Sequence, residues 1–183
     1  MRNKRGPAKS PPPASLPTEP GAEDAWKALT LVLDLVKHAE MKAGLTLASA
    51  GAVGGVLYSL IRSVPRASVL FGTTAGFCVL FVIVAASAAG LALIPRVRSE
   101  PTNLLHFHHV ATRFGIRSDV YMGELSALVT QPDALVSAIA HQVWANARVA
   151  RQKYRWATLA LIALLAALGG LAVTAIVAVV QHL

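Results

Sequence analysis

The sequence predicts an all-α membrane protein: three transmembrane helices and a small cytosolic helical module, with the last cytosolic helix continuous with the third span. Three observations carry that expectation. Of the 183 residues, 55% are hydrophobic and only 14% charged, whereas a soluble domain carries about 25% charge. Three stretches, 43–61, 67–94 and 156–180, contain no charged residue at all, and each is long enough as a helix to cross the roughly 30 Å of bilayer hydrocarbon. Finally, nothing that breaks a helix lies between Pro132 and Leu183, although the first half of that stretch is water-compatible and the second is uncharged.

Residues 1–21 are predicted to be a disordered tail, with Pro7, Pro11, Pro12, Pro13, Pro17 and Pro20 and almost no bulky apolar side chain to bury. No apolar core follows the basic start Arg2, Lys4, Arg5, so the tail does not read as a secretory signal. Residues 22–42 form a cytosolic amphipathic helix whose apolar face is Trp26, Leu29, Leu33, Val36 and Met41. Glu23 and Asp24 suit the dipole of its first turn.

The first span, 43–61, contains Gly51 and Gly55 in a GxxxG pair flanked by Ala48, Ala52 and Gly54. Such small residues let a second helix approach closely. A turn at 62–66 leads into the second span, 67–94, with its own GxxxG pair at Gly72 and Gly76. These four glycines are the candidate helix-packing positions. The one cysteine, Cys78, lies inside an apolar run and reads as a packing residue.

Residues 95–155 are predicted to be a cytosolic helical segment. A short helix over 101–114 is broken by Gly115, and Ser118 N-caps a second through Val129. Thr130 or Gln131 then caps a helix whose first position is Pro132. On it Leu135, Ile139, Val143, Ala147 and Ala150 follow helical spacing, and their stripe is expected to pack on the Trp26–Val36 face and on the two short helices. The third span, 156–180, would rise about 37 Å.

Orientation follows from the cations. Seven Lys and Arg lie in residues 1–42, eight in 95–155, two in the 62–66 turn and none after 155. This places the N-terminus and the central segment in the cytosol and the C-terminus outside. The net charge of +8, which in a soluble protein would point to nucleic acid, is here a topology signal, and no nucleic-acid partner is expected.

Candidate chemistry is sparse. His106, His108 and His109 have no Cys, Asp or Glu at ligand spacing and read as surface histidines, so no metal is expected. Arg148, Arg151 and Arg155 share one helix face. They either anchor at lipid headgroups or hold an anion, since guanidinium groups bind phosphate in bidentate geometry. With Arg113 and Arg117, Arg148 and Arg151 are the candidate phosphate ligands. No nucleophile–base pair, phosphate loop or paired carboxylates are present, so neither enzyme nor cofactor is expected.

The stretch WKALTLVLDLVKHAEMKAGLTLASAGAVGG, then NLLHFHH, then HQVWANARVARQKYRWATLALIALL resembles the transmembrane-type Pycsar effector family over roughly residues 24–180. The matching motif positions are Asp34, Glu40, Lys42, Gly44, Asn103, Gln142, Arg151, Lys153 and Tyr154. The resemblance implies bacterial anti-phage defence. A partner pyrimidine cyclase makes cyclic CMP or cyclic UMP on infection, and the effector senses it in the inner membrane and impairs that membrane, giving abortive infection. A homo-oligomer is expected, because three spans enclose little of a pore, with membrane lipid as the other partner. The competing reading is a non-enzymatic scaffold or subunit of a larger membrane complex. A transporter is disfavoured because no span contains a charged residue.

Overall fold

The computed structural model describes residues 21–64, 68–94, 104–105 and 107–182. The proline-rich tail, the middle of the 62–66 turn and His106 of the histidine group lie outside the described residues. Five helices follow one another: α1 (Ala22–Ser63), α2 (Val69–Leu93), α3 (Phe107–Phe114), α4 (Ser118–Val129) and α5 (Pro132–His182). There are no strands among the described residues. Three helices, α1, α2 and α5, are long and apolar enough to cross a membrane, and they pack together as one bundle.

Two of them are longer than any bilayer needs. α1 has 42 residues and α5 has 51, which at 1.5 Å per residue is about 63 and 76 Å. Each therefore joins an apolar span to a polar extension without a hinge. The short helix α4 sits beside the polar part of α5, and α3 packs on α4 rather than on α5. Between α3 and α4 Gly115, at φ 52°, takes the left-handed conformation that the reversal requires. Ser118 is the first helical residue of α4, not its N-cap. The cap is Arg117, whose backbone N–H already bonds the Phe114 carbonyl at 2.8 Å, so the chain re-enters a helix one residue earlier than expected.

The seams of the bundle are lined mainly by small residues, with Val53, Leu57, Phe71 and Leu164 the larger side chains among them, and most large apolar residues face outward. The buried positions include Ala43, Ala50, Ala75, Ala85, Ala89, Ala92, Ala160, Ala163 and Ala167, while Leu45, Val56, Leu70, Phe77, Leu80, Ile83, Ile162, Leu165 and Ile176 face outward. In water this arrangement would leave a large apolar surface uncovered. In lipid, helix association gains nothing from burying Leu and gains from close backbone approach, which alanine and glycine permit. The closest approach is at Gly170, where an added Cβ would lie 3.3 Å from the Cys78 Cβ. Cys78 is fully buried there and its thiol donates to the Ala167 carbonyl at 3.2 Å. At the far end Ser68 caps α2 by accepting from the Phe71 N–H, and Gln181 of α5 donates to the same hydroxyl.

The alanine seam also sets the rotation of the polar extension of α1. Because the helix is unbroken, the face that continues Ala50, Ala43 and Ala39 must be Val36, Val32, Leu29, Ala25 and Ala22. Leu29 is buried with Leu135 and Ile139 of α5, and Ala22, Ala25, Leu105, Leu128 and Val143 close around them. Trp26, Leu33 and Met41, expected on the buried face, are exposed. The correction has a plain cause: a helix anchored by its span cannot choose its own most hydrophobic face.

Candidate functional site

Two charged residues close to the uncharged spans, one on each long helix, meet at one point. Lys153 lies on α5 three residues before Trp156, and Glu40 lies on α1 three residues before Ala43. The Lys153 ammonium donates to Glu40 Oε1 at 2.6 Å and to the Ala92 carbonyl at 3.0 Å. Ala92 is in the last turn of α2, where carbonyls have no partner within the helix and the dipole is negative. One cation therefore pairs with α1, caps α2 and belongs to α5. It is 3% exposed, with buried Ala43, Ala92 and Ala157 clustered at the same level. The Glu40 side chain keeps 42% of its surface, so its carboxylate stays in contact with solvent.

Beside this junction Lys42 lies over the ring of Tyr154, 5.7 Å from its centroid. Glu40, Lys42, Lys153 and Tyr154 are thus two cross-helix pairs tying the two long helices together at the border between apolar and polar halves. The sequence named them one at a time, as separate motif positions, since α1 and α5 are 113 positions apart at the Glu40–Lys153 contact. The spacing signal that would have found Lys153 is its place on the buried stripe of α5, with Ala150, Ala157 and Ala160.

The four candidate phosphate ligands fall into two groups. Arg113 is ion-paired with Glu124 at 3.2 Å and lies over the Phe114 ring, and Arg117 donates to the Arg113 carbonyl. These two arginines brace α3 against α4. Arg148 and Arg151 are exposed on α5. The Arg148 guanidinium stacks on the Trp144 indole at 4.9 Å, and neither has a carboxylate partner among the described residues. The side chains of His108 and His109 lie outside the described residues.

The helix-packing glycines are placed on outward faces. Gly51, Gly55, Gly72 and Gly76 are exposed, and a Cβ added to any of them would meet nothing within 4 Å. The seam inside the chain is made instead by the alanines, by Gly54, whose added Cβ would rest 3.5 Å from Val82, and by Gly170.

Fold and junction together define a multi-pass membrane protein in which a polar helical module is rigidly continuous with two spans and locked to the third. The sequence matches PycTM, the Pycsar effector protein domain, over residues 24–181. It is also 35% identical over 144 residues to the Pycsar effector protein PtPycTM of Propioniciclava tarda, covering 76% of this chain and 71% of that protein. The chain belongs to the Pycsar effector family, a family of anti-phage defence effectors. No solved structure matches it.

Proposed function

We propose that this protein is the membrane-acting arm of an anti-phage system: a cyclic pyrimidine nucleotide, cyclic CMP or cyclic UMP, made by a partner pyrimidine cyclase, switches it from an intact bundle to one that impairs the inner membrane, so that the infected cell dies. The N-terminal helix and residues 95–155 face the cytosol, where the nucleotide is made, and the C-terminus lies outside.

The observation that carries this reading is the unbroken α5 with its junction at Lys153. A ligand that rotates or tilts the polar half of α5 moves the third span as one body, because no flexible residue intervenes. It must also pull on the single ammonium that holds all three spans. The Glu40 carboxylate remains partly solvated, so releasing Lys153 toward water costs less than exposing a fully buried pair. The protein acts without a catalytic step. The apolar outward faces, including the four exposed glycines, are available to further copies, so the damage is a defect formed by several chains rather than a selective pore through one.

The test is dye uptake by cells expressing the protein with and without a co-expressed pyrimidine cyclase. Uptake is expected only when both are present. Uptake with this protein alone would mean that nothing gates it, and no uptake under either condition would turn the reading toward a scaffold.

A further inference from the structure

The face of α5 opposite its buried seam has its own pattern. Ser137, His141, Trp144, Arg148 and Arg151 fall at i, i+4, i+7, i+11 and i+14, and all are exposed. An open depression of about 420 Å³ lies over Ser137, Ala140, His141 and Trp144, and beside it the Arg148 guanidinium lies over the indole at 4.9 Å. We propose that this depression is the receptor site for a single nucleoside phosphate, its base stacking on Trp144 and its phosphate bound by Arg148, with Arg151 one turn below. The proposal rests on the nucleotide-gated reading and gives it a location.

Four observations converge. Trp144 is 52% exposed, and a large aromatic held in water by a rigid helix is a stacking platform that takes any planar base. Guanidinium groups match phosphate oxygens in bidentate geometry. After Asp133 the chain contains no Asp or Glu, so nothing on this face of α5 opposes an anion. And the depression is open to solvent beside both Trp144 and Arg148, so one ligand can reach the two side chains together. The structure also ranks the four arginines, because Arg113 is already neutralised by Glu124 whereas Arg148 has no carboxylate partner among the described residues and lies over an indole.

Phosphate on this face has two sources, a nucleotide or a lipid headgroup, and distance separates them. Headgroups occupy only about 5–8 Å on each side of the hydrocarbon. Arg155 is one residue from the uncharged run, but Arg148 is eight residues above Trp156, about 12 Å along the axis, and its side chain leans toward the helix N-terminus, away from the membrane. Arg155 belongs to the lipid and Arg148 to the depression. From Trp144 to Lys153 the helix is unbroken over about 14 Å, which links the site to the junction.

The experiment is calorimetric titration of the full chain in phosphatidylcholine nanodiscs with cyclic CMP and with cyclic UMP. The wild type is expected to bind one of them. Trp144→Ala and Arg148→Gln should each weaken binding at least tenfold, Trp144→Phe should keep most of it, and Arg117→Gln should change it less than twofold. A chain with Trp26→Phe and Trp156→Phe, leaving Trp144 as its one indole, should lose fluorescence as the base stacks. That readout holds even if Trp144→Ala folds poorly. Wild-type binding that survives both Trp144→Ala and Arg148→Gln, with unquenched Trp144, overturns this site and leaves nucleotide gating standing. Binding of neither nucleotide at millimolar concentration overturns both. An Arg148→Gln effect confined to retention on phosphatidylglycerol vesicles, with nucleotide affinity intact, makes Arg148 a lipid anchor and also overturns the site.

Discussion

Glu40 and Lys153 form an ion pair whose two members are not equivalent. Lys153 is 3% exposed, while the Glu40 side chain keeps 42% of its surface. Removing the acid strands an ammonium between three helices with only the Ala92 carbonyl left to it. Removing the lysine strands a carboxylate that already reaches water. Breaking a buried pair costs about 3–5 kcal/mol when the remaining charge has no escape. Glu40→Ala is therefore expected to destabilise the bundle by roughly 2–4 kcal/mol, and Lys153→Met, which preserves the length and apolar stem of the side chain, by about 1 kcal/mol. Thermal unfolding in mild detergent checks the order; equal losses, or a larger loss for Lys153→Met, would contradict the geometry. If the junction also gates the membrane, Lys153→Met should show dye uptake without the cyclase, since a folded chain then lacks its lock.

Among the elements, the glycines divide by the face they occupy: Gly170 of α5 lies in the seam between helices, while Gly55 of α1 and Gly76 of α2 face outward. Gly170 lies against Cys78, with the α2 backbone 3.5 Å from the position of an added Cβ. A helix backbone cannot yield as a side-chain tip does, so Gly170→Val should force α2 and α5 apart and cost about 1–3 kcal/mol, as overpacking does. Gly55→Ala and Gly76→Ala, where an added Cβ meets nothing within 4 Å, should leave unfolding of the isolated chain unchanged. If those faces join copies of the chain, the same two substitutions should reduce chemical cross-linking of the protein in cell membranes. Gly170→Val, by contrast, should lower the unfolding temperature first. An unchanged cross-linking pattern would assign the outward glycines to lipid contact alone.

For the whole molecule, three spans and a strong cation bias make the topology testable in one step. Fifteen of the 17 Lys and Arg lie in residues 1–42 and 95–155, so the periplasmic side should receive the C-terminus. A reporter active only outside the cytosol is expected to be active when fused after Leu183 and inactive when fused after Val129. The reverse result would put the depression on α5 on the wrong side for a cytosolic nucleotide and would overturn the proposed function with it. The inside-out packing has a consequence at the same scale. Because large apolar side chains cover the outside and alanines fill the seams, the bundle depends on lipid or detergent to stay dispersed, and its stability should follow the thickness of the surrounding bilayer.

Much of this was legible in the chain as written. Uncharged runs at 43–61, 67–94 and 156–180 determined how many helices can cross a membrane, and the lack of any breaker between Pro132 and Leu183 determined that the last polar helix and the last span are one rod, because both follow from local charge and backbone chemistry alone. The motif order pointed to the family. What the sequence left open were the relations between helices far apart in the chain. Trp26, Leu33 and Met41 looked like a buried face but are exposed, because the alanine seam of the span fixes the rotation of a helix that has no joint. Gly51, Gly55, Gly72 and Gly76 face outward, toward lipid or another chain, and inside the chain Gly170 with Gly54 makes the close approaches. Lys153 stood out only as one motif position among nine, and only the meeting of α1, α2 and α5 sets it on Glu40 and the Ala92 carbonyl. Periodicity marks that a face exists. Which face is buried, and which charge is shared, depends on what the neighbouring helix brings to it, and only the tertiary structure decided that.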